Sequence, residues 1–399
     1  MQKVQITGNS QRKVKDGYPL LVEDDLKDPS MKLTDGSFVS LMASTQFMGY
    51  ALIAKHRRQL GWVLSLDETQ TPTVDYFRKL FKTALVRRQT TMPAGVPQRV
   101  FNAAGDGLGG VTIDRYDDYY VFTWYAEGVY QQREMIYAAF ETATEHQFKG
   151  VYAKLRFNVG EANLKSQLVT GTAAPEPLLV TEGDVTYPVH LADDFTTGLL
   201  LDMRPIREWV ASAELQGKTV LNLFSQENGI TAAAAVAGAA KTISIETSKK
   251  GATATAEQLA MNNIDPDKHE IRTIEVPNYL DYTAKHHLSY DVVVVTAPTF
   301  ARVKKQKFQV AVDLTDMLAQ ALPTVRRDGQ LVVATTANNF SMKRFSEAVS
   351  DAFIGSDRTY TVTETLRLPA DFVTRKAYLA SNYLKVLVLT LDKKTKIYL

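Results

Sequence analysis

The sequence predicts an α/β protein: a doubly wound, mostly parallel sheet in the C-terminal half, preceded by a small β-rich domain and a central α+β domain. Three observations carry this. From about residue 189 onward, apolar strand-like runs alternate with helical stretches, the rhythm of parallel strands joined by crossover helices. The first seventy or so residues hold only short apolar runs divided by turn signals. Between these regions, strands are mixed with one long helix. Composition agrees. A chain of 399 residues suits roughly two to four domains, and 45% apolar with 23% charged residues excludes disorder. The net charge of +2 means that any electrostatic footprint must be local. There is no cysteine, which excludes disulfides, Cys-ligated zinc, iron–sulfur clusters and thiolate nucleophiles.

The elements follow in order. Residues 36–41 and 49–53 read as strands, with turn chemistry at Asp16-Gly17-Tyr18-Pro19 and Asp35-Gly36. Thr71-Pro72-Thr73 marks a boundary before a helix predicted from residue 74 to about 89, with Phe77, Leu80, Phe81, Ala84 and Leu85 on one face. Strands at 110–114, 119–125 and 150–155 and a helix near 131–144 make the central domain. Asp106-Gly107-Leu108 and Gly109-Gly110 form a hairpin-like turn before Val111. Further strands are expected at 219–224, 242–246, 271–275, 291–295, 330–335 and 383–390, with helices at 230–240, 249–262, 308–322 and 341–353. The domain limits drawn from this pattern are 1–72, 73–187 and 188–399.

The opening Met1-Gln2-Lys3-Val4-Gln5 lacks the apolar stretch of a secretory signal, and no run of 18 apolar residues occurs. A cytoplasmic protein without a membrane span is expected. Arg78, Lys79, Lys82, Arg87, Arg88 and Arg99 fall between residues 76 and 100 with no acid among them. Two readings stay open, a solvated helix face or a phosphate-facing patch, since nucleic-acid affinity rests largely on such charges. Lys55, His56, Arg57 and Arg58 form a second basic cluster. Trp62, Trp124 and Tyr125 could stack on unpaired bases, or could be core. The adjacent His286 and His287 point different ways on a helix, so no metal site is assigned.

The first strand of the C-terminal domain, Val220-Leu221-Asn222-Leu223-Phe224, runs into Ser225-Gln226-Glu227-Asn228-Gly229 and then a helix. Such a junction offers backbone N–H groups and a positive helix end to a nucleotide-like ligand. Glu246 ends the next apolar strand, 24 residues after Asn222, where an acid can accept hydrogen bonds from both ribose hydroxyls.

These residues resemble the cofactor loop of the class I S-adenosylmethionine (SAM)-dependent ribosomal RNA methyltransferases that carry an N-terminal PUA domain. Residues 13–21 resemble the opening of that PUA module. Gly105-Asp106-Gly107-Leu108-Gly109-Gly110-Val111-Thr112-Ile113-Asp114-Arg115-Tyr116 resembles the central-domain signature. Thr197-Gly198-Leu199-Leu200-Leu201-Asp202-Met203-Arg204 resembles the "TGxFLDQR" segment, and Thr299-Phe300-Ala301-Arg302 the end of "DPPSFAR". The resemblance implies a Rossmann-like C-terminal domain and SAM-dependent methyl transfer onto a base of large-subunit ribosomal RNA. It implies that Thr197, Gly198, Asp202 and Arg204 line the methionine end of SAM. Asn222, Phe224, Ser225 and Gly229 would form its cradle, Glu246 would hold the ribose, and Glu275 would stand near the adenine amino group. Thr296, Pro298, Thr299 and Phe300 are the candidate catalytic motif, with the catalytic groups themselves unidentified. Arg78, Lys79, Lys82, Arg87 and Arg88 are the candidate RNA-binding residues. Partners are expected to be ribosomal RNA, with a homodimer left open and no membrane.

The departures from the family pattern are local. "DPPSF" reads Thr296-Ala297-Pro298-Thr299-Phe300, without the Asp and the first Pro. The "YTGGF"-type loop reads Gln226-Glu227-Asn228-Gly229-Ile230, and the glutamine after the Asp is Met203. These changes motivate an alternative, an RNA-binding relative whose methyltransferase domain no longer turns over. Methylation at cytosine C5 through a thiolate adduct has no nucleophile here, since Ala334-Thr335-Thr336-Ala337-Asn338-Asn339 stands where some members carry a Cys-bearing motif.

Overall fold

The computed structural model describes residues 1–56, 58–158, 166–193, 196–225, 229–303 and 306–393. The chain forms two compact units. The first comprises Met1–Val180, His190–Thr197 and Ala370–Ser381; the second comprises Thr181–Val189, Gly198–Pro369 and Asn382–Leu399. Among the described residues no helix is long and apolar enough to cross a membrane.

The first unit opens with β1 (Gln2–Gln5), α1 (Gly8–Lys15), β2 (Leu20–Val22), β3 (Phe38–Ala43), β4 (Gln46–His56) and β5 (Gln59–Val63). The sheet order is β1-β3-β4-β5-β2, parallel only between β1 and β3. Helix α1 carries no apolar stripe and escaped the sequence reading; Thr7 caps it by accepting from the Ser10 N–H. Strand β4 is buried on both faces, and its side chains alternate between two cores. Ala51 and Ile53 join Val4, Ile6, Val39 and Leu41. Leu52 and Ala54 join the core around the next sheet.

That second core is built on α2 (Val74–Thr91), capped by Thr73, with Phe77, Phe81, Ala84 and Arg88 buried at helical spacing. The sheet beneath contains β6 (Gln98–Asn102), β7 (Val111–Tyr116) and β8 (Tyr119–Trp124). After α3 (Glu127–Tyr130) and α4 (Arg133–Ala143) come β9 (Gly150–Leu155) and β10 (Ser166–Gly171). Their order is β10-β9-β8-β7-β6; β8 and β9 are parallel, as the intervening helices require. Trp62 and Trp124 are core residues at 8% and 0% exposure, which removes them as base-stacking platforms, whereas Tyr125 is 46% exposed.

Arg88 is the staple of this unit. Only 1% exposed, it makes a bidentate pair with Asp106 (2.7 and 2.6 Å). It also donates to the carbonyls of Arg99 (2.9 Å) and Asp371 (2.7 Å). Asp371 in turn accepts from the Arg99 N–H at 2.7 Å, and Arg99 pairs with Asp114. The expectation that Arg88 faces RNA is therefore corrected: its guanidinium is spent on joining α2, the Asp106 turn and the 370–381 segment.

A hairpin of β11 (Leu178–Glu182) and β12 (Val185–Val189) leads to α5 (Arg204–Ser212). The second unit then alternates strand and helix, with α8 not expected from the sequence: β13 (Thr219–Leu223), α6 (Ile230–Val236), β14 (Lys241–Glu246), α7 (Lys249–Met261), β15 (His269–Thr273), α8 (Val276–Lys285) and β16 (Tyr290–Ala297). A small hairpin of β17 (Phe300–Val303) and β18 (Gln306–Gln309) precedes α9 (Val310–Ala321). Then come β19 (Val325–Thr335), α10 (Met342–Asp351), β20 (Arg358–Leu366) and β21 (Lys385–Lys393). The sheet order is β15-β14-β13-β16-β19-β21-β20. Every strand but β21 runs the same way. The inner strands are continuous apolar runs such as Val292-Val293-Val294-Val295, buried on both faces. Strand β20 escaped the sequence reading because it is an edge strand with mostly exposed side chains.

At the start of β21, Lys385 is 3% exposed and donates to the carbonyls of Ala337 (2.9 Å) and Tyr383 (2.7 Å). Burial, with Arg367 nearby, pushes its amine down to about 8. The unfolded chain therefore holds this proton over a pH range where the folded chain has lost it, so its contribution to stability rises with pH above about 8. Unfolding free energies across that window should rise less steeply in Lys385→Met than in the parent; equal slopes would show that Lys385 is not the linked group. Arg88→Ala should cost about 3–5 kcal/mol in urea unfolding, because the buried Asp106 loses its bidentate partner and keeps the more distant Arg87. A cost under about 1 kcal/mol would place Arg88 among ordinary surface ion pairs.

Candidate cofactor site

The chain runs from β13 to β14 and β15 on one side, then returns to β16 on the other side of β13. This is the switch point where doubly wound sheets open a crevice beyond their carboxyl ends. Phe224, Ser225, Gly229, Glu246, Glu275 and Thr296 all lie at strand ends or helix starts along this edge.

The exit of β13 is tightly determined. Phe224 adopts φ +59, which costs free energy in a non-glycine residue and persists only where surroundings impose it. Here the Ser225 N–H donates to the Ile245 carbonyl at 3.2 Å. The Thr296 hydroxyl reaches the carbonyls of Phe224 (2.9 Å) and Leu223 (3.3 Å). Thr296, at the position of the missing acid, thus clamps β13 from β16. Asn222 is completely buried; its Nδ2 donates to Thr231 Oγ1 (3.0 Å), which shares a hydrogen bond with Ser244 Oγ (2.7 Å). This chain of bonds ties β13 to α6 and β14, so Asn222 positions the loop. Gln226, Glu227 and Asn228 lie outside the described residues.

Glu246 ends β14 with 0% exposure. Thr255 on α7 donates to its Oε1 at 2.7 Å, and Ser248 caps the same helix by accepting from the Gly251 N–H. A Cβ at Gly251 would stand 2.5 Å from Glu246 Oε2, so that glycine makes room for the carboxylate. Gly251 and Thr255 were not singled out from sequence; small residues one turn into the following helix are the only trace.

Beside this edge lies a cavity of about 370 Å³. Its apolar walls include Phe224, Val276, Phe308 and Met317, and Glu275 lines it at the N-cap of α8. The Phe224 and Phe308 rings lie 5.8 Å apart at 35°. Asp313 and Asp316 also line it, with Lys307. A flat apolar slot edged by carboxylates fits an adenosyl group with its amine and diol, and disfavours a phosphate-bearing nucleotide. These residues therefore suit SAM, the carboxylates facing its amine and diol and the apolar walls its ring.

The segment resembling the methionine-end motif is held from below. Arg204 and Arg207 are each 2% exposed and both bind Glu182. Burial alone would raise the Glu182 carboxyl, but the guanidinium groups of Arg207 and Arg204 hold it below the usual range. Arg207 also donates to the Leu200 carbonyl at 2.7 Å and lies over the Tyr187 ring. Gly229 has φ +73, and a Cβ there would stand 2.7 Å from that ring and 3.0 Å from Arg207 Cδ. Arg204, expected to line the cofactor, is buried with its Nε donating to Glu182 Oε1 at 3.2 Å. Asp202 accepts from the Tyr383 hydroxyl at 3.0 Å, and the Gly198 carbonyl accepts from Gln258 on α7. Thr197 belongs to the first unit, where its hydroxyl meets that of Tyr116 at 2.8 Å. Glu182, Tyr187 and Arg207 carry no motif signal, because the hairpin and α5 are far apart in sequence.

Of the candidate catalytic motif, Thr296 is nearly buried, Pro298 half-buried and Thr299 exposed, while Phe300 is 52% exposed at the start of β17. On α2, Arg78 and Lys79 both pair with Asp75, one residue before the acid-free stretch. Arg87 reaches Asp106 at 3.3 Å, and Lys82 makes no ion pair among the described residues. Arg57 lies outside them.

Comparison with known proteins gives the family. Residues 165–348 match the S-adenosylmethionine-dependent methyltransferase family, and residues 4–66 a PUA-like domain. The chain is 32% identical to YwbD of Bacillus subtilis (strain 168), which carries a ribosomal RNA large subunit methyltransferase name, over 94% of this chain and 96% of that one. It is 27% identical to ribosomal RNA large subunit methyltransferase I of Aliivibrio fischeri, over 81% and 82% of the two chains. The crystal structure of SMU.776 complexed with SAH is similar with a TM-score of 0.89 and 33% identity, covering 98% of this chain and all of that one. The chain belongs to the PUA-domain-containing class I SAM-dependent methyltransferase family.

Proposed function

We propose that this methyltransferase acts on large-subunit ribosomal RNA, as the names of its relatives say of them, that the acceptor is a base, and that the edge around Glu246 and Glu275 is its cofactor site. The observation that carries the site is the pair of carboxylates following successive strands, one deeply buried against α7 and one lining an apolar slot. Glu246 would accept the ribose hydroxyls, Glu275 the adenine amine, and Phe224, Val276 and Phe308 would enclose the ring. Gly198, Asp202, Ser225 and Gly229 would frame the methionine end. SAM supplies an activated methyl group on a sulfonium, already a good leaving group. The chain's task is then to hold the acceptor in line with that methyl and exclude water. A thiolate adduct is closed to a chain without cysteine, which favours an exocyclic amine or another acceptor that needs no covalent activation.

For the division of labour we propose a PUA-like module at 1–72, a central domain at 73–187 and the methyltransferase domain at 188–399. RNA would be held by the exposed cations of α2, Lys79, Lys82 and Arg87, with Arg78 at their edge. A ribosomal RNA substrate would place the protein in the cytoplasm.

Two outcomes follow. Glu246→Ala should weaken SAM by about 1.5–3 kcal/mol in calorimetry, typical of hydrogen bonds to a charged group. Unchanged affinity would dismiss Glu246 as the ribose ligand, and a parent protein that binds no SAM at millimolar concentration would favour a purely RNA-binding relative. Lys82→Ala with Arg87→Ala should weaken RNA whatever its sequence. The salt dependence should flatten by about one unit of log affinity per log salt for each cation–phosphate pair removed. RNA affinity and salt slope equal to the parent's would assign these side chains to a solvated helix face.

A further inference from the structure

We infer that a second cavity, in the first unit between α2 and the β6–β7–β8 sheet, takes a single nucleotide with an unpaired base. It has a volume of about 480 Å³, within the roughly 300–1,000 Å³ of small-molecule sites. Gln98 on β6 lines it and is only 7% exposed, and its Oε1 has no hydrogen-bond partner among the described residues. Folded proteins seldom leave a buried carbonyl oxygen unmatched, because the lost hydration is not replaced. The carboxamide has a donor end and an acceptor end, and a half-turn about its last torsion presents either to the cavity. Base edges carry the same alternation of donors and acceptors.

The walls suit a base with one phosphate. Val86, Val100 and Tyr120 offer apolar surface to a ring. Lys82 and Arg115 supply positive charge. Arg115 is partly engaged, donating to the Asp117 carbonyl at 2.7 Å and standing 3.8 Å from Asp118. Asp118 and Glu145 also line the cavity. Arg88 also lines the cavity but is neutralised by its pair with Asp106, so Lys82 and Arg115 against Asp118 and Glu145 leave little net charge, which disfavours a bare anion or a polyphosphate and suits an uncharged base beside a single phosphate. The nucleotide could come from an unpaired position in RNA or from solution. We assign it to RNA, an assignment that rests on the RNA reading above, whereas the existence of the site does not.

The test uses the full chain saturated with S-adenosylhomocysteine, so that the cofactor slot is filled. The parent, Gln98→Leu and Val86→Trp are compared; Val86 is 49% exposed on α2, so the tryptophan obstructs the cavity without threatening the fold. The probes are the four 5′-nucleoside monophosphates, followed by ligand-observed NMR, and an RNA hairpin with one bulged nucleotide against its fully paired counterpart, followed by fluorescence anisotropy. The parent should prefer the bulged hairpin by about fivefold or more, the worth of roughly one hydrogen bond. Both variants should lose that preference while binding the paired hairpin as the parent does. A mononucleotide that binds the parent and not the variants, without any bulge preference, would overturn the RNA assignment alone. If the parent and both variants bind every probe alike, or none of them binds any, the cavity is not a nucleotide site.

Discussion

The cofactor side of the second unit depends on one buried charge cluster, Glu182 between Arg204 and Arg207. Ions taken out of water must find compensation in geometry, and here the compensation is also the scaffold. Glu182 comes from a hairpin strand, and both arginines from the start of α5. Through Leu200, Tyr187 and the close approach to Gly229, the cluster fixes the 198–204 segment and the start of α6 at once. No apolar residue could replace Arg207 in this role. It bonds a carboxylate, a carbonyl and a ring face together, which needs a planar cation with several donors.

Above that floor, the strand ends are held by polar groups whose chemistry differs from the family pattern. An ionised carboxylate at position 296 could only accept hydrogen bonds, and the groups it would meet here are the carbonyl oxygens of Leu223 and Phe224. Thr296 donates to them instead, and so holds Phe224 in a left-handed conformation that a bulky side chain otherwise avoids. The departure at this position is therefore coupled to the shape of the β13 exit.

In the first unit a single helix serves two purposes. Helix α2 buries Phe77, Phe81 and Ala84 against the sheet and uses Arg88 to tie down the Asp106 turn. Lys79, Lys82 and Arg87 stay at its surface. A run of like-signed residues is thus divided by the helical period into one structural cation and several exposed ones. Asp75 and Asp106 lower the effective charge of the exposed set, leaving Lys82 as its strongest member.

The strand–helix alternation, the order of the modules and the positions of Glu246, Glu275 and the β13 exit are legible in the bare sequence. They depend on local periodicity and on residues at strand ends, and both are written contiguously in the chain. The same locality made short polar α1 and exposed edge strand β20 illegible, since neither carries an apolar period. The role of each polar residue, by contrast, emerged only from folding. Arg88 and Lys82 look alike in sequence, yet one is 1% exposed and paired with Asp106 while the other faces solvent. Arg204 sits in a cofactor-like motif, yet its guanidinium meets a carboxylate 22 residues earlier in the chain. A charged side chain's role is set by the partner that compensates its desolvation, and that partner is chosen by the packing of distant elements rather than by the neighbours in its own segment.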